Sequence, residues 1–525
     1  MSRGGEAVSQ DGEAVSQDDP ALVRMADAIL IPPFAGPSAP RWILAAIGRG
    51  LAGVTLFGQN MSTPDRVRAL TASLRAATAG DDPVIAIDEE GGDVTRVAYS
   101  TGSPYPGNAA LGVVDDTALT AAVYRAIGAD LAALGINVDL APCADVLGAA
   151  DSPAVGTRSF GPDTDLVSRH TAAAVAGLQG AGVAACTKHF PGHGRTGTDS
   201  HEAIATIEGD LAELRRRDLP PFAAAIKAGT IAIMPSHLRL PELTGDLPAT
   251  VSGAALTGLL RGELGFTGVV VSDALEMRAT RDAFGIPRAA VLAVAAGTDL
   301  LCLGRDGDED QYLAVRAALA GAVRDGTLAG ERLEQAADRV ARLRRGLARV
   351  PSGARPTGPS GAGPSGPSGA GPSGAGPSGP TGAVGLAAAR RAARMSGPPW
   401  PVLDHPLVIE VEPRENIAAG GFTWGLSPWV PAGSVRRVEP GGGAGYAAGI
   451  LEASAGRSLV LVVRDAHRDL ATRSLVTALL AARPDLVLVE MGLPRWCPPA
   501  GTSYLTTYGA SRASGQAAAE WLGLA

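Results

Sequence analysis

Eight short, continuously apolar runs, each followed by a longer stretch with helical spacing, limit this chain more than any other feature. The runs are AILIPPF from Ala28, GVTLFG from Gly53, PVIAIDEEGG from Pro83, INVDLAP from Ile136, VAACTKHF from Val183, IAIMPSHL from Ile231, GVVVSDAL from Gly268 and DLLCLG from Asp299. Helical spacing fills Asp65–Thr78, Thr117–Leu134, Leu166–Gln179 and Leu211–Ala228 between them. A Val/Ile/Leu run without period-two alternation is a strand buried on both faces, which calls for a parallel sheet covered by helices. Eight βα units over residues 23–350 fit a (β/α)8 TIM-like barrel. An open doubly wound sheet is the alternative, and it lacks a glycine fingerprint after the first strand.

The second constraint is Ser352–Gly382, built almost entirely of Gly, Pro, Ser and Ala. Such a composition cannot make a core and reads as a flexible linker over 351–383, without the strict Gly-X-Y rhythm of collagen. Beyond it, LVIEVE from Leu407, LVLVV from Leu459, LVLVE from Leu486 and SYLTTY from Ser503 alternate with helical stretches at Ala444–Ala455, Arg473–Ala482 and Ala513–Leu522. Residues 384–525 therefore read as a smaller α/β sandwich domain. At the other end, GEAVSQD occurs twice in tandem, at Gly5–Asp11 and Gly12–Asp18. Residues 1–22 read as a disordered tail. Every chemically distinctive motif lies before the linker, so a chain cut near Pro356 is expected to leave a soluble barrel.

Composition narrows the partners. The net charge of −8 is spread along the chain, and no basic stripe exists to neutralise nucleic-acid phosphates. The cysteines, Cys143, Cys186, Cys302 and Cys497, are far apart and show neither disulfide-framework nor zinc-ribbon spacing. No apolar run reaches the ~18 residues of a membrane span, and no basic start leads into an apolar stretch. The expectation is a soluble, cytoplasmic protein that works without nucleic acid, membrane, metal or cofactor.

In a barrel, reactive groups sit at the carboxyl ends of the strands, and the polar residues of this sequence gather there. The third run ends in Asp88-Glu89-Glu90-Gly91-Gly92, with Arg96 close behind. The fourth ends in Asp139 and leads to Gly156-Thr157-Arg158. The fifth ends in Lys188-His189 and continues through a glycine-rich loop to Asp199-Ser200-His201. The sixth ends in Ser236-His237 and the seventh in Ser272-Asp273. Charges that close apolar strands are costly to bury unless paired or used. Glu89 and Glu90 are adjacent on an extended segment, so at most one faces the site.

The set DEEGGDVTR, GTRSFG, KHFPGHG, DSH and VVVSDAL resembles the motifs of glycoside hydrolase family 3. KHFPGHG followed closely by DSH resembles the bacterial β-N-acetylglucosaminidases within that family. The resemblance is dense over residues 25–350. It implies a retaining hydrolase of terminal β-linked N-acetylglucosamine, with muropeptides as the physiological substrate. Asp273 matches the nucleophile, His201 the general acid/base and Asp199 the carboxylate that orients it. Asp88, Arg96, Arg158, Lys188 and His189 match the positions that bind the sugar. The sequence reads SDAL where many members read SDDL. The chemistry agrees: a carboxylate attacks, and a histidine with a pKa near ~6.5 serves as proton donor and then base.

Plainer roles are available for each residue. Asp273 could cap a helix, and Arg96 and Arg158 could make surface ion pairs. His189, His193 and His201 fall within thirteen residues and could bind a metal, although the spacing is irregular and Lys188 would oppose a cation. His193 reads as shaping its loop, and His237 is left open. Two other functions stand beside hydrolysis: phosphorolysis by the same residues, and non-catalytic sugar binding on a degenerate barrel.

Overall fold

The structure is a computed structural model describing residues 19–148, 152–197, 205–207, 209–347, 380–400, 402–412, 425–439 and 442–525. Each of the eight apolar runs contains a parallel strand: β1 Leu30–Ile31, β2 Gly53–Leu56, β3 Val84–Ile87, β4 Val138–Asp139, β5 Ala184–Phe190, β6 Ala232–Pro235, β7 Val269–Val270 and β8 Leu301–Cys302. The strands from β2 to β7 are neighbours in chain order, and β8 pairs with β1. The Thr55 amide donates to the Pro32 carbonyl at 3.3 Å, joining β2 to β1, and the Leu300 amide donates to Val270 at 3.0 Å, joining β8 to β7. These bonds close the ring.

Helices cover the ring because their starts are specified. Asp116, Asp163 and Asp308 each accept an amide of the first turn, at 3.1, 2.7 and 2.9 Å, and so cap Thr117–Ala133, Thr164–Gly180 and Glu309–Arg324. The single helix expected over Leu211–Ala228 is instead broken. A wide π-type turn at Leu214–Asp218 ends it, and a new helix starts at Pro220. Proline has no amide to donate and its ring clashes with the preceding turn, so it is accommodated at a helix start. The first helix begins at Pro20, ahead of the boundary read at residue 23, and buries Ala26 and Asp27.

The C-terminal domain is a six-stranded mixed sheet. Its strands are β9 Arg394–Ser396, β10 Leu407–Val411, β11 Val435–Val438, β12 Leu459–Val463, β13 Val487–Glu490 and β14 Ser503–Thr506, in the order β9-β14-β13-β12-β10-β11. Only β9 is antiparallel to its neighbour. Leu407, Ile409, Leu459 and Leu461 pack on one face, while Val408, Val460, Val462 and Val487 pack on the other. Both faces are thus covered, as continuous apolar runs require. The two strands missing from the sequence reading, β9 and β11, lie at the sheet edges and are polar (RMS and VRRV), so they carry no apolar run.

The linker read over 351–383 falls almost wholly outside the described residues. A helix at Pro380–Ala392 begins just before its expected end and lies against Asn108–Val114 and Thr117–Ala133 of the barrel, with Ala388 in the barrel's own core. Among the described residues, no helix is long and apolar enough to cross a membrane.

Candidate active site

The carboxyl ends of the barrel strands open into a cavity of about 870 Å³, whose lining includes Asp88, Glu90, Arg96, Arg158, Lys188, His189, His193 and Asp273. All the sugar-binding residues expected from the sequence therefore meet the expected nucleophile in one space. Asp199 and His201 lie outside the described residues.

A bulge explains how two neighbours on β5 both reach this space. Lys188 pairs with Met234 and Phe190 with Pro235, so the register slips at His189. On a regular strand Lys188 and His189 would face opposite ways; a bulge re-aims one of them. Lys188 Nζ then sits 2.6 Å from Asp88 Oδ1 and 2.7 Å from Glu90 Oε1. Burial opposes its charge, but the two carboxylates hold its pKa above the usual lysine value.

Glu90 is gripped from a second side. Arg158 Nε donates to Oε2 at 2.9 Å and Nη2 to Oε1 at 2.7 Å, a bidentate pair. Burial alone would raise the Glu90 pKa, yet the Arg158 guanidinium and the Lys188 ammonium hold it well below the carboxylate range. Glu89 faces away, as adjacent residues must. Its Oε2 accepts the Thr95 hydroxyl and the amides of Arg96 and Val97, and burial lifts its pKa to about 7. Arg96 reaches to 3.9 Å from Asp88 Oδ2.

His189 is held by Asp145. Its Nδ1 lies 2.7 Å from Asp145 Oδ2, and its Nε2 faces Arg158 Nη2 at 3.1 Å. A guanidinium can only donate, so Nε2 accepts and Nδ1–H donates to the carboxylate. Asp145 also accepts the His193 amide at 2.7 Å and the Cys143 thiol at 3.1 Å. Burial raises its pKa, but His189 and His193 overcome that and keep it ionised. Ligand atoms of Cys143, Asp145 and His189 lie within 4.8 Å of one another. They are already spent on one another through hydrogen bonds, burial pushes the Cys143 thiol well up, and Arg158 stands beside them. That donor set does not suit a cation.

Asp273 follows β7, half-buried, with Oδ1 accepting the Ala274 amide at 2.8 Å. The residue left open by the sequence explains how this turn is fixed. His237 is fully buried, with Nε2 at 3.0 Å from the Ala274 carbonyl and Nδ1 at 2.9 Å from the Thr250 hydroxyl. One strand end thus holds the backbone of the next. Ser272 Oγ accepts the Cys302 amide at 2.9 Å and pins the same turn to β8.

Glu90 and Asp145 were not assigned to the site by sequence. Glu90 had a signal, as one of two candidates in DEEGG. Asp145 was marked only by being the second acid, after Asp139, in the mostly apolar VDLAPCADVLG. Asp139, by contrast, lies beneath the cavity. It accepts the Glu89 amide at 3.0 Å, and burial lifts its pKa well above the usual value.

Comparison with known proteins is consistent across the chain. The family described as "Glycosyl hydrolase family 3 N terminal domain" matches residues 45–343. Beta-hexosaminidase A of Pseudoalteromonas piscicida is 33% identical over 317 residues, which is 56% of this chain; the chain spans about half of that relative, 53% of its length. The beta-hexosaminidase of Stenotrophomonas maltophilia (strain K279a) is 38% identical over 256 residues, 48% of this chain and 75% of the relative. Among solved structures, a glycoside hydrolase family 3 beta-N-acetylglucosaminidase from Paenibacillus sp. str. FPU-7 superposes with a TM-score of 0.81 at 30% identity, covering 97% of each chain. The family match takes in more than half of the chain and all the residues that meet in the cavity, from Asp88 to Asp273: the chain belongs to glycosyl hydrolase family 3.

Proposed function

We propose that this chain is a retaining β-N-acetylglucosaminidase that releases terminal β-linked N-acetylglucosamine, with peptidoglycan-derived muropeptides as its physiological substrate. The observation that carries the reading is the placing of Asp273 in one cavity with the Lys188–Asp88–Glu90–Arg158–His189 network. Asp88 and Lys188 bind sugar hydroxyls through ionised hydrogen bonds, which are about twice as strong as neutral ones. The carboxylate of Asp273 attacks the anomeric carbon and forms a glycosyl-enzyme. His201, oriented by Asp199, protonates the departing oxygen and then takes a proton from the water that releases the sugar.

The test is turnover of an aryl N-acetyl-β-glucosaminide beside the aryl β-glucoside, with and without phosphate. The N-acetyl substrate should be hydrolysed at least about tenfold faster, with free sugar as product in both buffers. Asp273→Ala should lose on the order of a thousandfold or more in kcat with its fold intact. A sugar phosphate as product would make the enzyme a phosphorylase, and an Asp273→Ala variant within about tenfold of the parent would remove the nucleophile assignment.

A further inference from the structure

We infer that the C-terminal domain sets the position of Arg158, through two arginines that grip the loop after β4 and a third that reaches it through Asp93. The inference rests on the reading of Arg158 as a sugar-binding residue.

Between Asp139 at the end of β4 and the short helical turn Gly156–Arg158, the described residues form no regular element. The barrel holds part of this segment, with the Leu147 amide donating to Gly161 at 3.0 Å and the Gly148 amide to Gly194 at 2.8 Å, and the C-terminal domain takes up further carbonyls. Arg495 Nη2 donates to the Gly148 carbonyl at 3.0 Å, and Arg468 Nη2 donates to the Ser152 carbonyl at 2.9 Å. The Arg468 guanidinium also lies over Gly156, where an added Cβ would meet Nη2 at 3.3 Å and φ is +46°. Leu493 of the same domain packs onto Cys143, Leu147 and Val155.

The third arginine acts closest to the sugar site. Asp93, on the barrel loop after β3, is only 5% exposed. Its Oδ2 accepts the Thr157 hydroxyl and, at 2.8 Å, Arg464 Nη2; its Oδ1 accepts the Ala510 amide at 2.8 Å. Thr157 immediately precedes Arg158. The chain of contacts is therefore Arg464 and Ala510 to Asp93, Asp93 to Thr157, and Thr157 to the backbone that aims Arg158 at Glu90 and His189. On the barrel's side that backbone is held by the Asn108 side-chain amide, which donates to the Arg158 carbonyl at 2.7 Å, and by the turn's own bonds from the Gly156 amide to Ser152 at 3.0 Å and from the Arg158 amide to Val155 at 2.9 Å. Without Arg464, the Asp93 carboxylate would be buried with no cationic partner from the second domain, and the Thr157 segment would move with it. Displacing a binding group by about 1 Å costs up to ~100-fold in rate.

The full-length protein tests this. Arg464→Met should lower kcat/KM on an aryl N-acetyl-β-glucosaminide by about ten- to a hundredfold, and Arg464→Lys should restore part of the loss. In an Arg158→Lys background the same Arg464→Met change should cost less than about twofold more, because the group it positions is already gone. Thr157→Val breaks the relay by removing only a hydroxyl, and should show the same non-additive pattern even if Arg464→Met fails to fold. An Arg464→Met or Thr157→Val enzyme within about twofold of the parent, beside an Arg158→Lys enzyme that is impaired but measurable, would overturn the positioning role alone. Equal losses with and without Arg158 would overturn it as well. A silent Arg158→Lys would overturn the sugar-binding reading beneath it, and the inference with it.

Discussion

His193 lines the cavity, 3% exposed, with its ring nitrogen Nδ1 2.9 Å from the Thr196 hydroxyl. Burial, only partly offset by Asp145, lowers its pKa to about 4. The unfolded chain takes up the proton near the ordinary value of 6.5 and the folded one does so only near 4, so this group's share of stability is complete above 6.5 and is lost as pH falls through 4. By linkage the loss at pH 4.5 is on the order of 2–3 kcal/mol. Urea unfolding of parent and His193→Gln at pH 7 and pH 4.5 should show the variant losing less stability by that amount. An identical pH dependence would mean that His193 takes up its proton as readily in the fold as in the unfolded chain. Sequence reading placed His193 as a loop-shaping residue, and its amide bond to Asp145 and its ring bond to Thr196 agree with that. It could not see Asp145 as the hub, because Asp145, His189 and His193 sit on two different strand-end loops and only the closed ring brings them together. For Asp88, Lys188 and Asp273 the signal was local, since a charge ending an apolar strand is legible from the strand alone, whereas Arg158 was found only through its GTRSFG motif.

At the scale of elements, the eight barrel strands were legible because burial on both faces leaves an unbroken apolar run. The bulge at His189 was not, since it depends on the register of β5 against β6. The docking of the Pro380–Ala392 helix was equally hidden, because alanine and glycine announce no face. In the structure Gly385 makes that docking possible: a Cβ there would collide with the Pro104 carbonyl. Gly385→Val should therefore push the helix off the barrel. Overpacking of this kind costs about 1–3 kcal/mol, or roughly 2–8 °C in the thermal midpoint of a domain this large. A Gly385→Val midpoint within about 1 °C of the parent would show that the helix can shift without loss.

The two domains meet through charge as much as through apolar surface. Arg391 pairs with Asp116 at 2.8 Å on the outer layer, and Arg464, Arg468 and Arg495 reach the loops near the cavity. Cleavage of the peptide within 352–379 by a protease should thus leave two fragments that elute together and turn over substrate at close to the intact rate. Fragments that separate under native conditions would show the covalent tether to be what keeps the domains paired. The composition of the tether and the existence of a second α/β unit could be read from sequence, but the side on which that unit docks could not, since single arginines carry no address. The pairing of Leu30 with Leu301 carries a consequence in time. Strands joined across nearly the whole barrel sequence must pay loop-closure entropy before any contact rewards them, so such rings close slowly. During synthesis β1 waits with its edge unpaired until β8 has left the ribosome. The tether lies after β8, and the C-terminal domain follows it, so the growing chain can finish the ring before the arginines that brace its upper loops are made.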